Sequence, residues 1–447
     1  MLEGDKFPQI ILNYGMSRKK ALLKDIGGIY DGIKIPGNIL LYQYRGTPAF
    51  IFTNQKPYFV DPMSYLFGQP FSSFKRQTKA GLNFKPSFRK LLEGHGFNSK
   101  EYIDSNSVVL LDSIFKSEKT LAEFVTCATE FQLNAVSGGL DDIKALMTLE
   151  EFENLSTGMM RPQICLPPYF LYSQNFSAVR NITTAIELNS RILSATLEIV
   201  DPSVDLFPVI LINRDELITS YADEVADALL GLGFPGHCVW IDGFDERYAS
   251  REEVLALANF IRKLAGENES KKQVVLLYGG FFSLLLHHFG LSAICHGLSY
   301  GESRKIGASA NKFSGPAPRR YYIRDLHRFF TLDDSLKILR KRPDLICSCP
   351  VCQRVIAADP ERVAKFEGEE ALSELHFLYN RDLERNTISK SSDIAEIAEL
   401  LKWSSDLNDD ISSITKVFKR NSREFTHSVV DTEYLNIWAE GLEAAGS

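Results

Sequence analysis

Short apolar runs of strand length alternate along this chain with longer stretches whose apolar residues recur at helical spacing. Eight runs are predicted to form strands: Pro8–Tyr14, Asn38–Tyr42, Tyr58–Pro62, Gln163–Phe170, Pro208–Asn213, His237–Asp242, Gln273–Gly279 and Leu291–His296. Helices are predicted between them, among others at Ser17–Ile26, Glu216–Leu232, Arg251–Leu264 and Phe281–Phe289. The apolar runs are continuous rather than alternating, which is typical of parallel strands buried on both faces.

Eight strand–helix units are the number that closes a (β/α)8 TIM barrel, so the sequence predicts an α/β fold built on such a barrel. A doubly wound open sheet is the alternative interpretation. The early part of the chain fits the pattern least well. Ala49–Thr53 could form an inserted hairpin, and the region near 75–160 has a mostly helical pattern and is predicted to be an insertion.

Three of the seven cysteines lie within six residues, as Cys347-Ser-Cys349-Pro-Val-Cys352, and His376 follows 24 residues after the last of them. The sequence carries no evident export signal, so thiols this dense are better explained as metal ligands than as disulfides. Three thiolates and one imidazole match the closed four-ligand shell of a structural zinc. A chance cluster of buried thiols is the alternative.

The composition is that of an ordinary globular protein, with 45% hydrophobic and 24% charged residues in 447. Because no stretch of 18 apolar residues is found, a cytoplasmic protein without a membrane partner is expected. We assign residues 1–310 to the barrel, 311–385 to a zinc-binding subdomain and 386–447 to a C-terminal helical segment. Helices of that segment are predicted at Asp393–Ser404, Asp409–Phe418 and Thr432–Ala444.

A net charge of −7 gives no support for general nucleic-acid binding, so any such surface must be local. Residues 304–342 carry eleven basic side chains against three acidic ones, with aromatic residues interleaved. That combination suits contact with a phosphate backbone, although a solvated basic face is the alternative. The residues predicted to contact nucleic acid are Arg304, Lys305, Arg319, Arg320, Arg324 and Arg328.

The reactive groups of a TIM barrel lie at the carboxyl ends of its strands. Asp61 stands at the end of the third predicted strand and Asp242 at the end of the sixth, and a buried carboxylate there is a candidate general base or nucleophile. Each has a structural alternative. Asp61 could cap the turn before Pro62, and Asp242 or Asp245 could N-cap the next helix. His296, at the end of the eighth strand, could equally be a core histidine.

The cysteine motif after an eight-stranded β/α barrel resembles the tRNA-guanine transglycosylase superfamily, and the chain order is similar over most of residues 8–380. Four further stretches carry the resemblance: Tyr58-Phe-Val-Asp61-Pro-Met-Ser, Val209-Ile-Leu-Ile-Asn213, Trp240-Ile-Asp242-Gly243-Phe and Ile323-Arg-Asp-Leu-His-Arg328-Phe. In order, they look like the strand ending in the family's base-pocket aspartate, the strand ending in its base-reading glutamine, its glycine-rich substrate-binding strand end, and the strand before its cysteines.

Two positions depart from the family's pattern. The family's nucleophilic aspartate ends the eighth strand, where this chain has Leu291-Ser-Ala-Ile-Cys295-His296-Gly297. Its second pocket aspartate falls near Pro167-Pro168-Tyr169. Neither stretch contains a carboxylate, so Asp242 and Glu302 are the alternative acids.

The resemblance implies base exchange at a glycosidic bond of DNA or tRNA, with a structural zinc as the bound metal. An aspartate attacks the sugar C1′, a second acid assists the departing purine, and a guanine or 7-deazaguanine base takes its place in a flat slot. Asp61 is assigned as the base-facing acid and Asp242 as the nucleophile. The assigned substrate-binding residues are Asn213, Gly243, Phe244, Tyr278, His296 and Glu302.

Other questions are left open by the sequence. The DNA-modifying branch of the family is slightly favoured over the tRNA branch, and the assembly could be a homo- or heterodimer. A catalytically silent relative that binds nucleic acid or serves as an accessory subunit is one alternative function. A barrel hydrolase or lyase with a structural zinc is another.

Overall fold

The computed structural model describes residues 8–15, 20–78, 81–102, 110–137, 161–266, 271–298, 301–307, 319–391, 393–407, 411, 415–420, 423–428 and 431–446. Their strands are β1 (Gln9–Asn13), β2 (Gly32–Pro36), β3 (Tyr58–Asp61), β4 (Lys75–Thr78), β5 (Gly81–Phe84), β6 (Val209–Asn213), β7 (Gly236–Asp242), β8 (Gln273–Leu276), β9 (Leu291–His296), β10 (Arg320–Ile323), β11 (Arg328–Thr331), β12 (Thr415–Arg420) and β13 (Arg423–Ser428). Their α-helices span Lys20–Asp25, Gly37–Tyr42, Gly46–Asn54, Pro86–Gly94, Leu111–Ile114, Glu118–Leu133, Ala185–Ile199, Arg214–Leu217, Ser220–Leu230, Arg251–Ala265, Phe281–Leu285, Leu332–Lys341, Pro350–Val355, Glu370–Ile388, Ile394–Asp406 and Glu433–Gly446.

The centre of the fold is a curled sheet of seven parallel strands in the order β3-β2-β1-β9-β8-β7-β6. The residues of these strands are almost all buried, because helices cover the outer face and the inner face encloses a second apolar cluster. The predicted α/β class with a parallel sheet is therefore confirmed. The three remaining pairs, β4–β5, β10–β11 and β12–β13, are separate antiparallel hairpins.

The seven strands form a half-barrel, and the described strands do not close a (β/α)8 barrel. The predicted strand Gln163–Phe170 makes a single isolated bridge, between Cys165 and Leu206. Its Pro167 and Pro168 lack the backbone N–H groups that a ladder needs, which explains why no regular strand forms there. The segment nevertheless lies between the two edges of the sheet. The backbone N–H of Gln163 donates to Tyr58 O at 3.0 Å on the β3 side, and that of Cys165 donates to Asp205 O at 2.9 Å on the β6 side.

Three other sequence predictions were wrong. Asn38–Tyr42 is not a strand, because β2 ends at Pro36 and the helix Gly37–Tyr42 follows directly. Ala49–Thr53 lies inside the helix Gly46–Asn54 rather than in a hairpin. The third error falls in the C-terminal segment, where residues 415–418 of the predicted helix Asp409–Phe418 belong to β12. Residues 138–160 of the predicted insertion lie outside the described residues, and the described part contains the β4–β5 hairpin as well as helices.

The last two helices pack against the sheet layer. The helices Ile394–Asp406 and Glu433–Gly446 share an apolar cluster with the helix Arg251–Ala265. Trp438 is 1% exposed, and its indole N–H donates to Glu246 O at 2.9 Å. This contact joins the C-terminal helix to the loop that follows β7, at the carboxyl ends of the strands. Among the described residues, no helix is long and apolar enough to cross a membrane.

Candidate functional site

The three clustered cysteines and His376 meet in a buried group. The cysteines come from the loop before the helix Pro350–Val355 and from its first turn, and His376 comes from the helix Glu370–Ile388. Their candidate ligand atoms all lie within 4.8 Å of one another, and all four side chains are buried. The predicted grouping of these four residues is confirmed, and the group could hold a metal ion.

The orientation of His376 suits it for ligation. Its Nε2 lies 2.7 Å from Tyr322 O, and because a carbonyl can only accept, this ring nitrogen carries the proton. The unprotonated Nδ1 then faces the sulfur atoms, at 3.4 Å from Cys349 Sγ and 3.2 Å from Cys352 Sγ. The imidazole also stacks on Tyr321, with ring centroids 4.2 Å apart. Such a carbonyl partner on the second nitrogen is the usual support of a metal-bound histidine.

The sulfur atoms receive hydrogen bonds from their surroundings. The backbone N–H of Cys349 donates to Cys347 Sγ at 3.2 Å, and the Cys352 N–H donates to Cys349 Sγ at 3.4 Å. Hydrogen bonds with the side chains of Cys349 and Cys352 lower the pKa of Cys347 well below its ordinary value. The same hydrogen bonds raise the pKa of Cys352, so without a metal ion these contacts favour a thiolate, the form that binds metal, at Cys347. An ion bound by all four residues would have no open coordination position, which is the arrangement of structural metal sites.

A second cluster of polar and aromatic side chains lies at the carboxyl ends of the strands, around Asp61. Asp61 is 1% exposed, and its Oδ1 accepts hydrogen bonds from Tyr169 Oη and from the Met63 N–H, both at 2.9 Å. The Met63 contact is the turn cap that the sequence offered as the structural alternative. The Tyr169 contact joins Asp61 to the segment that lies between the edges of the half-barrel. The carboxylate is therefore held in one orientation by two donors.

Three aromatic rings beside Asp61 enclose the guanidinium of Arg304, and we refer to Tyr65, Trp240 and Tyr278 as the aromatic slot. The guanidinium carbon lies 5.8 Å from the ring centroid of Tyr65 and 5.5 Å from those of Trp240 and Tyr278. Arg304 also donates to Tyr278 Oη at 2.5 Å. The sequence placed Arg304 on a nucleic-acid surface, and the structure places its side chain inside this slot, where a planar cation is favoured by the ring faces.

The segment that carries Arg304 is fixed to the end of β7. Arg304 O accepts hydrogen bonds from the Gly243 N–H at 2.9 Å and from the Trp240 indole at 3.4 Å. The backbone N–H of Ile306 donates to the carboxylate of Asp242. Gly243 has a φ of 75°, a conformation that favours glycine at this turn. Burial raises the pKa of the half-buried Asp242, while Lys305 and Arg304 act in the opposite direction.

Two other assigned residues, the half-buried Glu302 and the buried His296, lie near the helix Glu370–Ile388. Burial raises the pKa of Glu302 to about 7, and its carboxylate accepts a hydrogen bond from Arg381 at 2.5 Å. His296 packs against Phe377, and burial lowers its pKa to about 3. His296 therefore has the environment of a neutral core histidine, which was its structural alternative.

The remaining assigned residues are held by local contacts. Asn213 donates to Glu216 Oε2 at 3.0 Å, and Phe244 is buried in the apolar cluster beneath the strand ends. Asp245 accepts a hydrogen bond from the backbone N–H of Arg247 and forms an ion pair with the Arg247 guanidinium at 2.8 Å. Asp245 is therefore the residue that N-caps the helical turn after β7.

The predicted nucleic-acid residues beyond Arg304 fall into two groups. Arg319, Arg324 and Arg328 contact Glu370 at 3.4 Å, Asp325 at 3.8 Å and Asp431 O at 3.0 Å, respectively. Lys305 is exposed next to the strand ends, and Arg320 begins β10. Arg319, Arg324 and Arg328 stay partly exposed in spite of these contacts.

Several residues at the strand ends were missed by the sequence analysis. They are Lys34, Tyr65, Tyr169, Trp240 as a slot residue, and Glu246. Glu246 caps the helix Phe281–Leu285, because its carboxylate accepts hydrogen bonds from the N–H groups of Gly280, Phe282 and Ser283 at 2.6, 2.9 and 3.1 Å. One signal was available, because Tyr65 follows Asp61 by four residues in the loop after β3. The sequence carries no signal for Lys34, because the second strand was predicted at Asn38–Tyr42 and β2 lies at Gly32–Pro36.

No protein-family model matches this chain, and no curated protein matches it significantly. The fold and the two clusters therefore define the class of the protein: an α/β half-barrel with a Cys3His group that could hold a metal ion and an aromatic slot at its strand ends.

Proposed function

We propose that this protein is a base-exchange transglycosylase that replaces a purine of DNA or tRNA by a guanine or 7-deazaguanine base. The observation that carries the proposal is the aromatic slot, in which a flat cationic group lies among three rings beside the buried carboxylate of Asp61. A purine extruded from a nucleic acid needs this combination of stacking faces and an acid that contacts its edge.

In this proposal the two carboxylates have different tasks. Asp61, held by Tyr169 and Met63, faces the base and forms hydrogen bonds with its N–H groups. Asp242, at the end of β7, attacks the sugar C1′, and the bond to the departing base breaks as the bond to Asp242 forms. The departing base takes up a proton, and the incoming base loses its N9 proton as it takes the sugar from Asp242, which becomes a carboxylate again. Burial raises the pKa of Asp242, and the neighbouring cations Lys305 and Arg304 act against this effect and so favour the ionised form that the attack requires.

Arg304 must leave the slot before a base enters it. Its guanidinium occupies the space between the rings, and its backbone is attached to β7 by hydrogen bonds that a short movement would break. Arg304 would then stand with Lys305 at the rim of the site, where a phosphate of the substrate passes.

The metal and the barrel belong to the same proposal. We infer that the ion is zinc, since tetrahedral Zn–S and Zn–N bonds of about 2.3 and 2.05 Å separate sulfur from nitrogen by about 3.6 Å. The observed distances from His376 Nδ1 to Cys349 and Cys352 are 3.4 and 3.2 Å.

We also infer that the segment from Gln163 to Tyr172 completes a closed (β/α)8 barrel, because it bonds to both edges of the half-barrel.

The test is incorporation of radiolabelled guanine into DNA and into tRNA by the purified protein. We expect incorporation into one of the two polymers, and loss of at least a hundredfold in rate for Asp61→Asn and for Asp242→Asn. Asp344→Asn is the matched control, because Asp344 is an exposed partner of Arg342 far from the strand ends. Retention of exchange in both site variants would refute the assignment of the two acids.

One observation favours a second candidate, a catalytically silent relative that binds nucleic acid or serves as an accessory subunit. Arg304 fills the slot, and no carboxylate occurs in Leu291–Gly297. Tight binding of DNA or tRNA without any incorporation of guanine would support this candidate against the first.

A further inference from the structure

Lys34 is a buried lysine on the inner face of the half-barrel. It lies in β2 and is 1% exposed. Its side chain crosses the interior past β1 and β9, and Nζ donates to Leu277 O at 3.2 Å, just after β8. Nζ also lies 3.9 Å from the ring centroid of Tyr278, which is one wall of the aromatic slot. The ammonium group is therefore at the carboxyl ends of the strands, against the slot.

Lys34 and Asp61 face the same interior. Asp61 pairs with Pro36 in the β2–β3 ladder, and Lys34 lies two residues before Pro36, so strand alternation places both side chains on one face. Both act on the buried thiol of Cys295. Burial raises the pKa of Cys295 to about 12, with Lys34 lowering it and Asp61 raising it further. A cation and an anion thus lie together at the floor of the slot.

The ammonium has unused hydrogen-bonding capacity. It carries three N–H donors, and within the described part of the chain it has one hydrogen-bond acceptor, Leu277 O. A buried charge is costly unless it is paired and hydrogen-bonded. A lysine with this little compensation is expected where a ligand supplies further acceptors.

We propose that Lys34 determines which base the slot accepts, by donating a hydrogen bond to the carbonyl oxygen on the six-membered ring of a 6-oxopurine or its 7-deaza analogue. This inference rests on the proposed function. Asp61 accepts from the N–H groups on the adjacent edge of the same base. The cationic Lys34 thus faces the carbonyl oxygen of the base, and the anionic Asp61 faces its two N–H groups. A 6-aminopurine would place an amino group against the ammonium and leave both donors without an acceptor.

Guanine and 2-aminopurine are compared because 2-aminopurine keeps the 2-amino group and lacks both the oxygen that Lys34 would contact and the N1–H that Asp61 would contact, so the role of Lys34 is the part of the preference that is lost in a Lys34 variant. Binding of each radiolabelled base is measured by equilibrium dialysis against wild type, Lys34→Met and Lys56→Met. Lys56 is the matched control, since it also donates to a backbone carbonyl, Tyr30 O at 3.1 Å, but lies before β3 at the opposite end of the strand.

We expect wild type and Lys56→Met to prefer guanine by roughly tenfold to a hundredfold, the range of one good edge contact to a base. Lys34→Met should lower the ratio by roughly tenfold by weakening guanine binding, and the preference that remains is the part that Asp61 contributes through the N1–H. A folded Lys34→Met that keeps the wild-type ratio would overturn the inference. Equal binding of both bases by wild type would also overturn it, but would leave the proposed function standing. Wild type that binds neither base would overturn both.

A second variant covers the case in which Lys34→Met does not fold. Lys34→Gln keeps an N–H donor of similar length, and we expect it to hold part of the preference for guanine. A preference in Lys34→Gln equal to that of wild type, or inverted toward 2-aminopurine, would contradict a role for the ammonium group.

Discussion

Replacement of Cys352 by serine tests the metal centre most directly. Cys352 Sγ lies 3.2 Å from His376 Nδ1 inside the buried four-residue group, so the change removes one of four candidate ligands. A hydroxyl is a far poorer ligand than a thiolate for zinc and similar ions. If free metal exceeds the dissociation constant about a thousandfold, binding stabilises the folded chain by about 4 kcal/mol. Cys352→Ser should lose that amount, which corresponds to roughly 4 °C in the unfolding midpoint for a chain of 447 residues.

The assay combines metal analysis by mass spectrometry with thermal unfolding followed by circular dichroism. Wild type is expected to hold about one ion per chain, and a chelator should lower its midpoint to that of Cys352→Ser, which itself should not respond to the chelator. Cys127→Ser is the control, because Cys127 is half-buried and lies outside the group. The reasoning fails if Cys352→Ser holds as much metal as wild type, or if wild type purified with zinc holds well under one ion per chain.

Three further changes have defined outcomes. Arg304→Ala empties the aromatic slot, so it should raise the affinity for free guanine several-fold in equilibrium dialysis while weakening binding of the polymer; unchanged affinity for the base would contradict the view that Arg304 competes for the slot. Trp438→Ala removes a buried ring and its hydrogen bond to Glu246 O, and should lower the free energy of unfolding in urea by about 3–5 kcal/mol. Burial lowers the pKa of His237 to about 4, so the unfolded chain binds this proton first and stability is lost as the pH falls from about 6.5 to 4. In His237→Phe the free energy of unfolding should therefore change less with pH than in wild type, by up to about 1.4 kcal/mol per pH unit. The measurement is urea unfolding at pH 7 and at pH 5. An equal change in the free energy of unfolding between the two pH values in variant and wild type would contradict the prediction.

The strands that the sequence predicted well are those whose burial is visible in a continuous apolar run. β6, β7 and β9 each contain four or more consecutive buried residues, and the polar side chains before the last residue of each strand are limited to His237 and Ser292, each at the second position of its strand. β2 was missed because its middle residue is Lys34, whose burial depends on a carbonyl 243 residues away in the chain. No local pattern encodes such a partner. The more apolar Asn38–Tyr42 was chosen instead, although Pro36 already marks the end of a strand and the start of a helix.

The candidate site also has parts that the local sequence encodes and parts that depend on tertiary contacts. The spacing of three cysteines within one loop identified the metal-binding group, because those ligands are local and His376 is the one histidine of its helix. The carbonyl of Tyr322 that orients the imidazole belongs to β10, which only the tertiary fold brings to the group. The aromatic slot was not predicted as a unit, since its rings come from the loop after β3, from β7 and from the residues after β8.

The metal-binding group and the slot are connected by one helix. Glu370–Ile388 carries His376 in its first half and Arg381 five residues later. Arg381 is fully buried and donates to Glu302, which stands two residues before Arg304. The helix that places His376 in the metal-binding group therefore also contacts the segment that carries Arg304. Under the proposed function, an ion held by the four residues would act on the strand ends through these contacts: it would fix the helix, Arg381 would hold Glu302, and the segment after Glu302 would set the position of Arg304.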